Sequence, residues 1–411
     1  MMTLLIVLVV VLGVMAVAQL ARVYELTAKL RGKREEDITD SDNRMNARLM
    51  WLFCVAYFGF FIWLLVRYND RMLPVSASEH GVWTDQLLDV NWYILFIVFF
   101  ITNILLFYFA GRYVYDRNRR ALWQPHNNKL ELLWTIVPAV VLIGIIIYGL
   151  TIWNRITSPA SPDAMVVEVY AKQFDWTARY PGADGIMGAT DYRLINDQNP
   201  LGIVTPASIA TRLDELAAER EAILKDIAQN EQVMPPAKLA ESRKRVERIE
   251  RTSARIIRLR TEMEQDIAMN KETSPYAHGE DDIVVKEFHL PIRKEVKMLI
   301  RSRDVIHSAY IPHLRAQMNA VPGMTTTFNM VPTITTDSMR TVMNDPAFEF
   351  ILLCNKICGA SHYNMQMALV VEPENAYNDW LAQQKPFQAA PEPAAPSAMT
   401  TTATEAPVTT N

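Results

Sequence analysis

The fold is decided at one junction in the chain, where an uncharged apolar run gives way to alternating residues. Residues 132–153 read LLWTIVPAVVLIGIIIYGLTIW, whereas residues 166–180 read VVEVYAKQFDWTARY. The first pattern is that of a membrane-spanning helix, because roughly 20 apolar residues at about 1.5 Å each cross a hydrocarbon core of about 30 Å. The second pattern, with β-branched and aromatic residues at alternate positions, predicts half-buried strands. The junction therefore separates a membrane region from a β-rich region.

Three further uncharged runs precede that junction. They cover residues 3–20, 50–66 and 92–110, so the sequence predicts four membrane-spanning helices. The loops between the four runs carry seven, two and five basic residues in chain order. Because Lys and Arg accumulate on the cytosolic side of a membrane, this alternation places the amino terminus and everything after residue 153 outside the cytosol.

The first run has an alternative interpretation as a cleaved signal peptide, since Ala16, Val17 and Ala18 resemble a cleavage site. Two observations favour a retained anchor. No basic residue precedes the run and seven follow it, and cleavage would invert every later span. We therefore predict an anchor.

The composition excludes several classes of protein. The chain has 41 Lys and Arg against 45 Asp and Glu, which gives no sign of a nucleic-acid-binding protein. Its three cysteines are too few for a disulfide framework, and it has no Cys-x-x-Cys-His motif for covalently attached haem.

Alternating runs continue beyond the junction and are bounded by Pro, Gly and Asp. They predict a small antiparallel sandwich or barrel. The predicted strand segments are 166–180, 282–290, 295–303, 325–332 and 348–355.

A helical segment interrupts the predicted strands. Residues 207–231 and 237–268 are rich in Ala, Glu, Arg, Leu and Lys, and Pro235 and Pro236 divide them. Apolar residues three and four apart predict a seam between two antiparallel helices. We expect a helical hairpin inserted at about residues 205–272, either as a solvated surface insertion or as a docking arm for another subunit. Residues 385–411 are rich in Pro, Ala and Thr and are predicted to be disordered.

A short segment near the end of the β-rich region gathers possible metal ligands. Residues 354–365 read CNKICGASHYNM. A zinc site of Cys354, Cys358, His362 and a distant histidine is one interpretation. Met365 favours copper instead, because a thioether is a poor zinc ligand and a good copper ligand.

A second histidine is expected from elsewhere in the chain. His307 ends a predicted strand and is the natural partner, whereas His313 competes with it and is expected to have a structural role.

These segments resemble subunit II of the haem-copper cytochrome c oxidases. CNKICGASHYNM is similar to that family's copper loop, C-x-E-x-C-G-x-x-H-x-x-M. DVIHSAYIPH followed by NAVPGM is similar to its upstream histidine strand and turn, HNNKLELLWTIVPA to the start of its second helix, and KQFDWTARYPG to its aromatic strand. The resemblance runs from about Glu79 to Trp380 and is interrupted by the hairpin.

The resemblance implies a membrane-anchored α + β protein in which transmembrane helices precede an exported, cupredoxin-like antiparallel β-sandwich with the inserted hairpin. Two copper ions would be bridged by both thiolates, and this chain would bind no haem. The ligands implied are His307, Cys354, the carbonyl of Lys356, Cys358, His362 and Met365.

The resemblance also implies a function. Electrons would enter from cytochrome c outside the membrane and pass to haem in subunit I, where dioxygen is reduced to water and protons are translocated. The partners would be subunit I, other oxidase subunits, and cytochrome c or a cytochrome-bearing complex. The chain would lie in a bacterial inner membrane with its carboxyl-terminal domain in the periplasm. The implied divisions are 1–69 (extra helices), 70–154 (helix pair), 155–384 (copper domain) and 385–411 (tail).

Several positions depart from the family pattern or add to it. Lys356 stands where the family has a Glu that helps bind magnesium, and an ammonium has no lone pair for Mg²⁺, so a magnesium site is not expected. Phe174 stands where the family has the Trp that receives the electron, so we expect Phe174 or Trp176 as that contact, with core aromatics as the alternative. Glu131 is expected at the entrance of a proton channel, with an ordinary interfacial acid as the alternative. Asp304 is expected to help steer a basic cytochrome c.

Two other functions remain open at the level of sequence. A subunit II of a quinol oxidase would keep the fold without copper, although the complete ligand set opposes that interpretation. A structural or signalling membrane protein, with the hairpin as its working part, would not need the sulfur ligands.

Overall fold

The computed structural model describes residues 2–30, 32, 39–116, 118–120, 122–270 and 272–388. Four long helices come first, and each is long and apolar enough to cross a membrane. They confirm the four predicted spans. Their bounds are α1 (Met2–Leu30), α2 (Asp40–Met72), α3 (Glu79–Arg112) and α4 (Asn128–Ile156).

The chain divides into two compact units. The membrane unit comprises Met1–Leu73 with Leu88–Ile145. The second unit comprises Pro74–Leu87 with Ile146–Asn411, and we call it the exported unit after the prediction from the sequence. In the membrane unit, α2 packs on α3 through aromatic rings, such as Phe61 on Phe99 with centroids 4.6 Å apart. Most other apolar side chains of the four helices are exposed, as is required of surfaces that meet lipid or neighbouring subunits.

Within the described residues, the exported unit is built on ten strands in two five-stranded sheets. The first sheet has the order β3-β2-β1-β5-β8 and the second β4-β10-β9-β6-β7. The strands are β1 (Met165–Lys172), β2 (Asp175–Tyr180), β3 (Ile283–Val285), β4 (Phe288–Pro291), β5 (Val296–Ser302), β6 (His307–Ile311), β7 (Ala316–Ala320), β8 (Thr326–Met330), β9 (Phe350–Cys354) and β10 (Gln366–Glu372).

The two sheets enclose one core, which confirms the predicted cupredoxin-like sandwich. Trp176, Tyr180, Phe288 and Phe350 are fully buried in it. The arrangement is not wholly antiparallel, because β1 pairs with β5 and β4 pairs with β10 in parallel. Parallel pairs need long connections, and the chain between β1 and β5, which includes the hairpin, provides one.

Two of the predicted strand segments are each divided in the structure. Residues 166–180 form β1 and β2, which turn back on each other at Gln173 and Phe174. Residues 282–290 form β3 and β4, which belong to different sheets. Alternation along the sequence does not show where a strand turns, because both sides of such a turn keep the same pattern.

The helical insertion forms the hairpin that the sequence predicts. Helix α5 covers Pro206–Asn230 and α6 covers Pro236–Asn270, so each begins at a proline. Proline suits the first turn of a helix because the backbone N–H that it lacks has no helical partner there. The seam between the helices is apolar and buried, and it includes Ile209, Leu216, Ile249, Ile256, Leu259 and Met263.

A buried ion cluster lies where the chain enters and leaves the hairpin. The Arg179 guanidinium lies 3.1 Å from Glu168 and 3.6 Å from Asp282. Asp282 also accepts a hydrogen bond from the backbone N–H of Gly188, at 3.1 Å. The cluster therefore ties the segment before the hairpin to the first sheet.

Two short helices complete the exported unit, α7 (Thr336–Met343) and α8 (Glu374–Ala382). Beyond α8, Pro386 forms a bridge with Ile283, and the N–H of Phe387 donates to the carbonyl of Asp282 at 2.7 Å. Residues 386–388 of the predicted disordered tail therefore have backbone partners, because Pro386 bridges Ile283 of the edge strand β3 and the N–H of Gln388 donates to the carbonyl of Glu280 at 2.9 Å. Residues 389–411 of the predicted tail lie outside the described residues.

Candidate metal centre

The possible ligands come from two neighbouring strands and the loop between β9 and β10. His307 begins β6, Cys354 ends β9, and β6 and β9 are paired with Ala309 opposite Cys354. The loop is closed at its base, because the N–H of Cys354 donates to the carbonyl of Met365 at 3.0 Å. The N–H of the next residue, Asn355, donates to the carbonyl of Ser308 at 3.0 Å. The sheet thus brings His307 to a loop that lies 47 residues further along the chain.

The six residues proposed as ligands from the sequence all lie close together at this loop, with His307 approaching it from β6. The two thiol sulfurs lie 3.8 Å apart and are not joined as a disulfide. Four further atoms surround them at 3.2–3.8 Å. His307 Nδ1 and the Lys356 carbonyl oxygen lie nearest Cys354 Sγ, whereas His362 Nδ1 and Met365 Sδ lie nearest Cys358 Sγ.

The burial of these groups suits a metal ion held away from water. The exposed fractions of His307, Cys354, Cys358 and Met365 are 0%, 9%, 5% and 2%. Burial, together with the neighbouring Cys354 thiol, raises the pKa of Cys358 to about 11. A bound cation would have to displace that proton, because metals bind the thiolate.

Asp304 orients His307. Its carboxylate lies 2.9 Å from His307 Nε2, on the side of the ring opposite Nδ1. Burial acts to raise the pKa of Asp304, but hydrogen bonds from His307 and from the backbone N–H groups of Gln173 and Val305 outweigh it and lower the pKa. A carboxylate that accepts the Nε2 proton leaves the Nδ1 lone pair free to bind a metal.

Gln173 and Gly359 hold the loop against the first sheet. The side-chain amide of Gln173 donates to the carbonyl of Cys358 at 2.6 Å. Gly359 has a φ of +142°, and a Cβ at this position would lie 2.8 Å from the ring of Phe174. A side chain is therefore excluded by both the backbone conformation and the close approach of Phe174.

The two aromatic residues singled out from the sequence occupy different depths. Phe174 is half-buried and lies against Gly359. Trp176 is fully buried, with its ring centroid 6.1 Å from that of His307. A fully buried ring cannot touch a partner protein, so only Phe174 can serve as the surface contact.

His313 and Glu131, which were also singled out from the sequence, have other contacts. The His313 ring packs edge-on against Phe348 and Phe350, with centroids 5.0 Å and 5.7 Å away. Glu131 is exposed in the first turn of α4, where it accepts a hydrogen bond from the N–H of Asn127 at 3.3 Å.

The positioning roles of Gln173 and Asp304 were not predicted from the sequence. Gln173 lies 185 residues from the carbonyl that it binds, so no spacing along the chain could have revealed the contact. Asp304 had a local signal, because it precedes His307 by three residues. It was interpreted only as a surface charge.

The donor atoms fit a soft metal ion. A metal–thiolate bond is about 2.3 Å long, so one ion can touch both sulfurs at their separation of 3.8 Å. Thiolate, imidazole and thioether together form the ligand set that copper prefers.

Comparison with known proteins identifies the family. Residues 67–152 match the profile of the transmembrane domain of cytochrome c oxidase subunit II, and residues 263–373 match that of its periplasmic domain. An alternative cytochrome c oxidase subunit 2 of Bradyrhizobium diazoefficiens is 29% identical over 314 residues, which are 76% of this chain and 83% of the relative. A cytochrome c oxidase subunit 2 of Cereibacter sphaeroides is 24% identical over 76% of this chain and 78% of its own length.

Among solved structures, the periplasmic domain of subunit II of cytochrome oxidase from Bradyrhizobium japonicum matches 54% of this chain and 95% of its own, at 14% identity and a TM-score of 0.26. That score is too low to bear on the fold. The two matched profiles cover the helix pair and the segment with the cysteine loop. They leave out α1, most of α2 and most of the hairpin. The matches to both subunit II domains and to these relatives support the identification of this chain as a cytochrome c oxidase subunit II, a component of an oxidoreductase complex.

Proposed function

We propose that this chain accepts electrons from a cytochrome outside the membrane at a dinuclear copper centre and passes them to haem in subunit I. Dioxygen would be reduced to water there, and the reaction would be coupled to proton translocation. Two free thiols lie side by side, and two imidazoles, a thioether and a carbonyl surround their sulfur atoms. This arrangement is the observation that carries the proposal. The subunit II profiles support it.

Each residue has a defined part in this proposal. Cys354 and Cys358 would bridge the two ions, and His307 and His362 would each bind one. Met365 and the carbonyl of Lys356 would complete the set. When bound, the two copper ions would supply storage for one electron shared between them.

The surrounding residues keep the site rigid. Asp304 fixes the ring of His307, Gln173 holds the carbonyl of Cys358, and the paired strands β6 and β9 hold the two ends of the site. A site that does not rearrange when its charge changes lowers the cost of electron transfer, because preorganised dipoles need not move.

Two surfaces of the site have different proposed partners. Phe174 is the proposed contact for the donating cytochrome, with Trp176 behind it beside His307. Ile357 and Tyr363 lie within the loop with exposed fractions of 85% and 87%. Large apolar groups so exposed indicate a protein contact, and we assign subunit I to this side.

We further propose that the chain lies in a bacterial inner membrane with the exported unit in the periplasm, and that Glu131 stands at a proton entrance into subunit I. An exposed acid in the first turn of α4 supports the latter role. Replacement of Glu131 by Gln should slow proton uptake by the assembled oxidase without changing the copper content.

Metal analysis of the full-length protein after copper loading tests the central proposal. We expect two copper ions per chain and a near-infrared absorption band. Cys358→Ser should lose both, whereas Cys54→Ser should keep both, because Cys54 lies in α2 of the membrane unit. A Cys358→Ser protein that retained two copper ions and electron acceptance would contradict the proposal, as would zinc as the only metal bound.

A further inference from the structure

The outward face of α6 carries a row of basic side chains opposite the apolar seam. They recur three and four residues apart, as the seam does, and all are exposed. From its first to its last residue the row extends about 21 Å along the helix axis. We call this row the basic stripe, and its members are Lys244, Arg248, Arg251, Arg255 and Arg258.

The stripe is barely neutralised by the rest of the chain. Arginines beside the seam pair across the hairpin, as Arg245 does with Glu219 at 2.6 Å. Of the stripe, only Arg251 has an ion-pair partner within the described residues, Glu247 at 3.9 Å, and both side chains are 66% exposed. An exposed ion pair of that kind contributes little free energy. The stripe therefore presents a continuous positive surface to solvent.

A membrane surface is a poor fit to the stripe. Helices that lie on a membrane place aromatic and large aliphatic side chains beside their basic residues. Residues 206–270 contain no Phe, Tyr or Trp, and the apolar side chains of the hairpin are mostly buried in its seam. Four of the five stripe residues are arginines, whose planar fork binds carboxylates through paired hydrogen bonds. An acidic protein surface is the better fit.

The charges beside the metal centre also favour an acidic partner. The carboxylate of Asp304 accepts hydrogen bonds from His307 and from the N–H of Gln173. Asp175 is paired with Lys286. Arg303, by contrast, is exposed and has no ion-pair partner within the part of the chain that the structure describes. Hydrogen bonds leave the charge of Asp304 in place, but Arg303 and the exposed Lys356 of the ligand loop outnumber it, so this side of the centre is not acidic.

We propose that the basic stripe docks the acidic face of the cytochrome that donates electrons to this chain. The donor's role rests on the proposed function, whereas the docking rests on the stripe itself. The inference reverses the charge of the donor expected from the sequence, where Asp304 was assigned to steer a basic cytochrome c. Attraction between opposite charges raises the rate of association and weakens with salt.

The test measures binding of two small c-type cytochromes, one acidic and one basic, to the full-length protein in discs of neutral lipid. The stripe variant carries Arg248→Glu and Arg255→Glu. A matched control carries Lys225→Glu and Lys238→Glu, which change the charge equally at exposed positions of the same hairpin outside the stripe. Unchanged helical ellipticity will show that both variants fold.

At low ionic strength we expect the stripe variant to bind the acidic cytochrome about tenfold more slowly than the parent. The control should differ from the parent by less than about twofold, and high salt should remove the difference. Equal losses in both variants would overturn the proposal, as would a loss for the basic cytochrome only. Loss of binding to phosphatidylglycerol vesicles, with cytochrome binding unchanged, would assign the stripe to a membrane instead.

This experiment separates the docking from the proposed function. Binding is measured without electron transfer, so it reports on the stripe whether or not copper is present. Reduction of the copper-loaded protein by ascorbate with a small neutral mediator reports on the metal centre alone. Failure of that reduction would count against the proposed function and leave the binding result intact.

Discussion

The ligand loop of residues 354–365 and the hairpin of residues 206–270 are stabilised in opposite ways. The loop depends on residues far away in sequence, such as Gln173, which donates to the carbonyl of Cys358. The hairpin depends on residues three and four apart, buried against each other in its seam. Substitutions in the loop would therefore disturb its contacts with distant residues. Substitutions on the outward face of the hairpin leave the buried seam, and hence the fold, intact. A surface of that kind can acquire a new partner.

The largest expected effect is on the stability of the hairpin. Ile256 is fully buried in the seam, so Ile256→Ala should destabilise the hairpin by about 3 to 4 kcal/mol through lost burial and a cavity. Denaturant unfolding of the full-length protein, followed by helical ellipticity, measures this change. The adjacent Ile257 is 45% exposed, so Ile257→Ala serves as the control and should cost less than about 1 kcal/mol. Loss of copper from the Ile256→Ala protein would show that the two regions are coupled.

A pH effect of intermediate size is expected at Asp282, where the hairpin joins the sheet. Burial raises the pKa of Asp282 to about 7, although Arg179 and the N–H of Gly188 oppose the shift. The folded state therefore keeps a proton that the unfolded state releases near pH 4. The stability that this group contributes is fully present below about pH 4 and is lost as the pH rises through about 7, a change on the order of 3 kcal/mol.

Asp282→Asn should remove that pH dependence, because the amide does not titrate in this range. The measurement is the thermal midpoint of the full-length protein, followed by tryptophan fluorescence at pH 5 and pH 8. Asp281→Asn, at the neighbouring position, is the control and should keep the parental slope. An unchanged slope in Asp282→Asn would show that Asp282 is not the titrating group.

The smallest expected effect is on the affinity of the loop for copper. Asp304→Asn removes the carboxylate that orients His307 and should weaken copper binding about 10- to 100-fold. Competition with a copper chelator measures this, and helical ellipticity should not change. Asp175→Asn makes the same charge change without touching a ligand and should bind copper as the parent does. Equal weakening in both variants would make the effect one of local charge rather than of orientation.

The membrane spans, the hairpin and the cysteine loop were predictable because each depends on a local pattern in the sequence. The four spans follow from apolar length, and the hairpin follows from periodicity and from Pro235 and Pro236. The cysteine loop was recognisable because its ligands lie within one short segment. Its match to the family pattern is likewise a match of spacing along the chain.

Other features could not be predicted because they depend on which segments meet. The parallel pairing of β1 with β5, the division of residues 282–290 between two sheets, and the order of residues 386–388 against β3 are all outcomes of strand pairing. The complete burial of Trp176, which excludes it as a surface contact, likewise depends on which segments meet.

By itself, the sequence determined that this chain has four membrane-spanning helices, a β-rich unit with a helical arm, and a loop that holds soft metal ligands. Apolar length, periodicity and ligand spacing are properties of residues that are close together in sequence, so they can be recognised without a structure. Only the tertiary structure decided that His307 faces the cysteines with Asp304 behind it, and that four of the five stripe residues have no ion-pair partner within the described residues. Those facts depend on distances between residues that the chain brings together only when it folds.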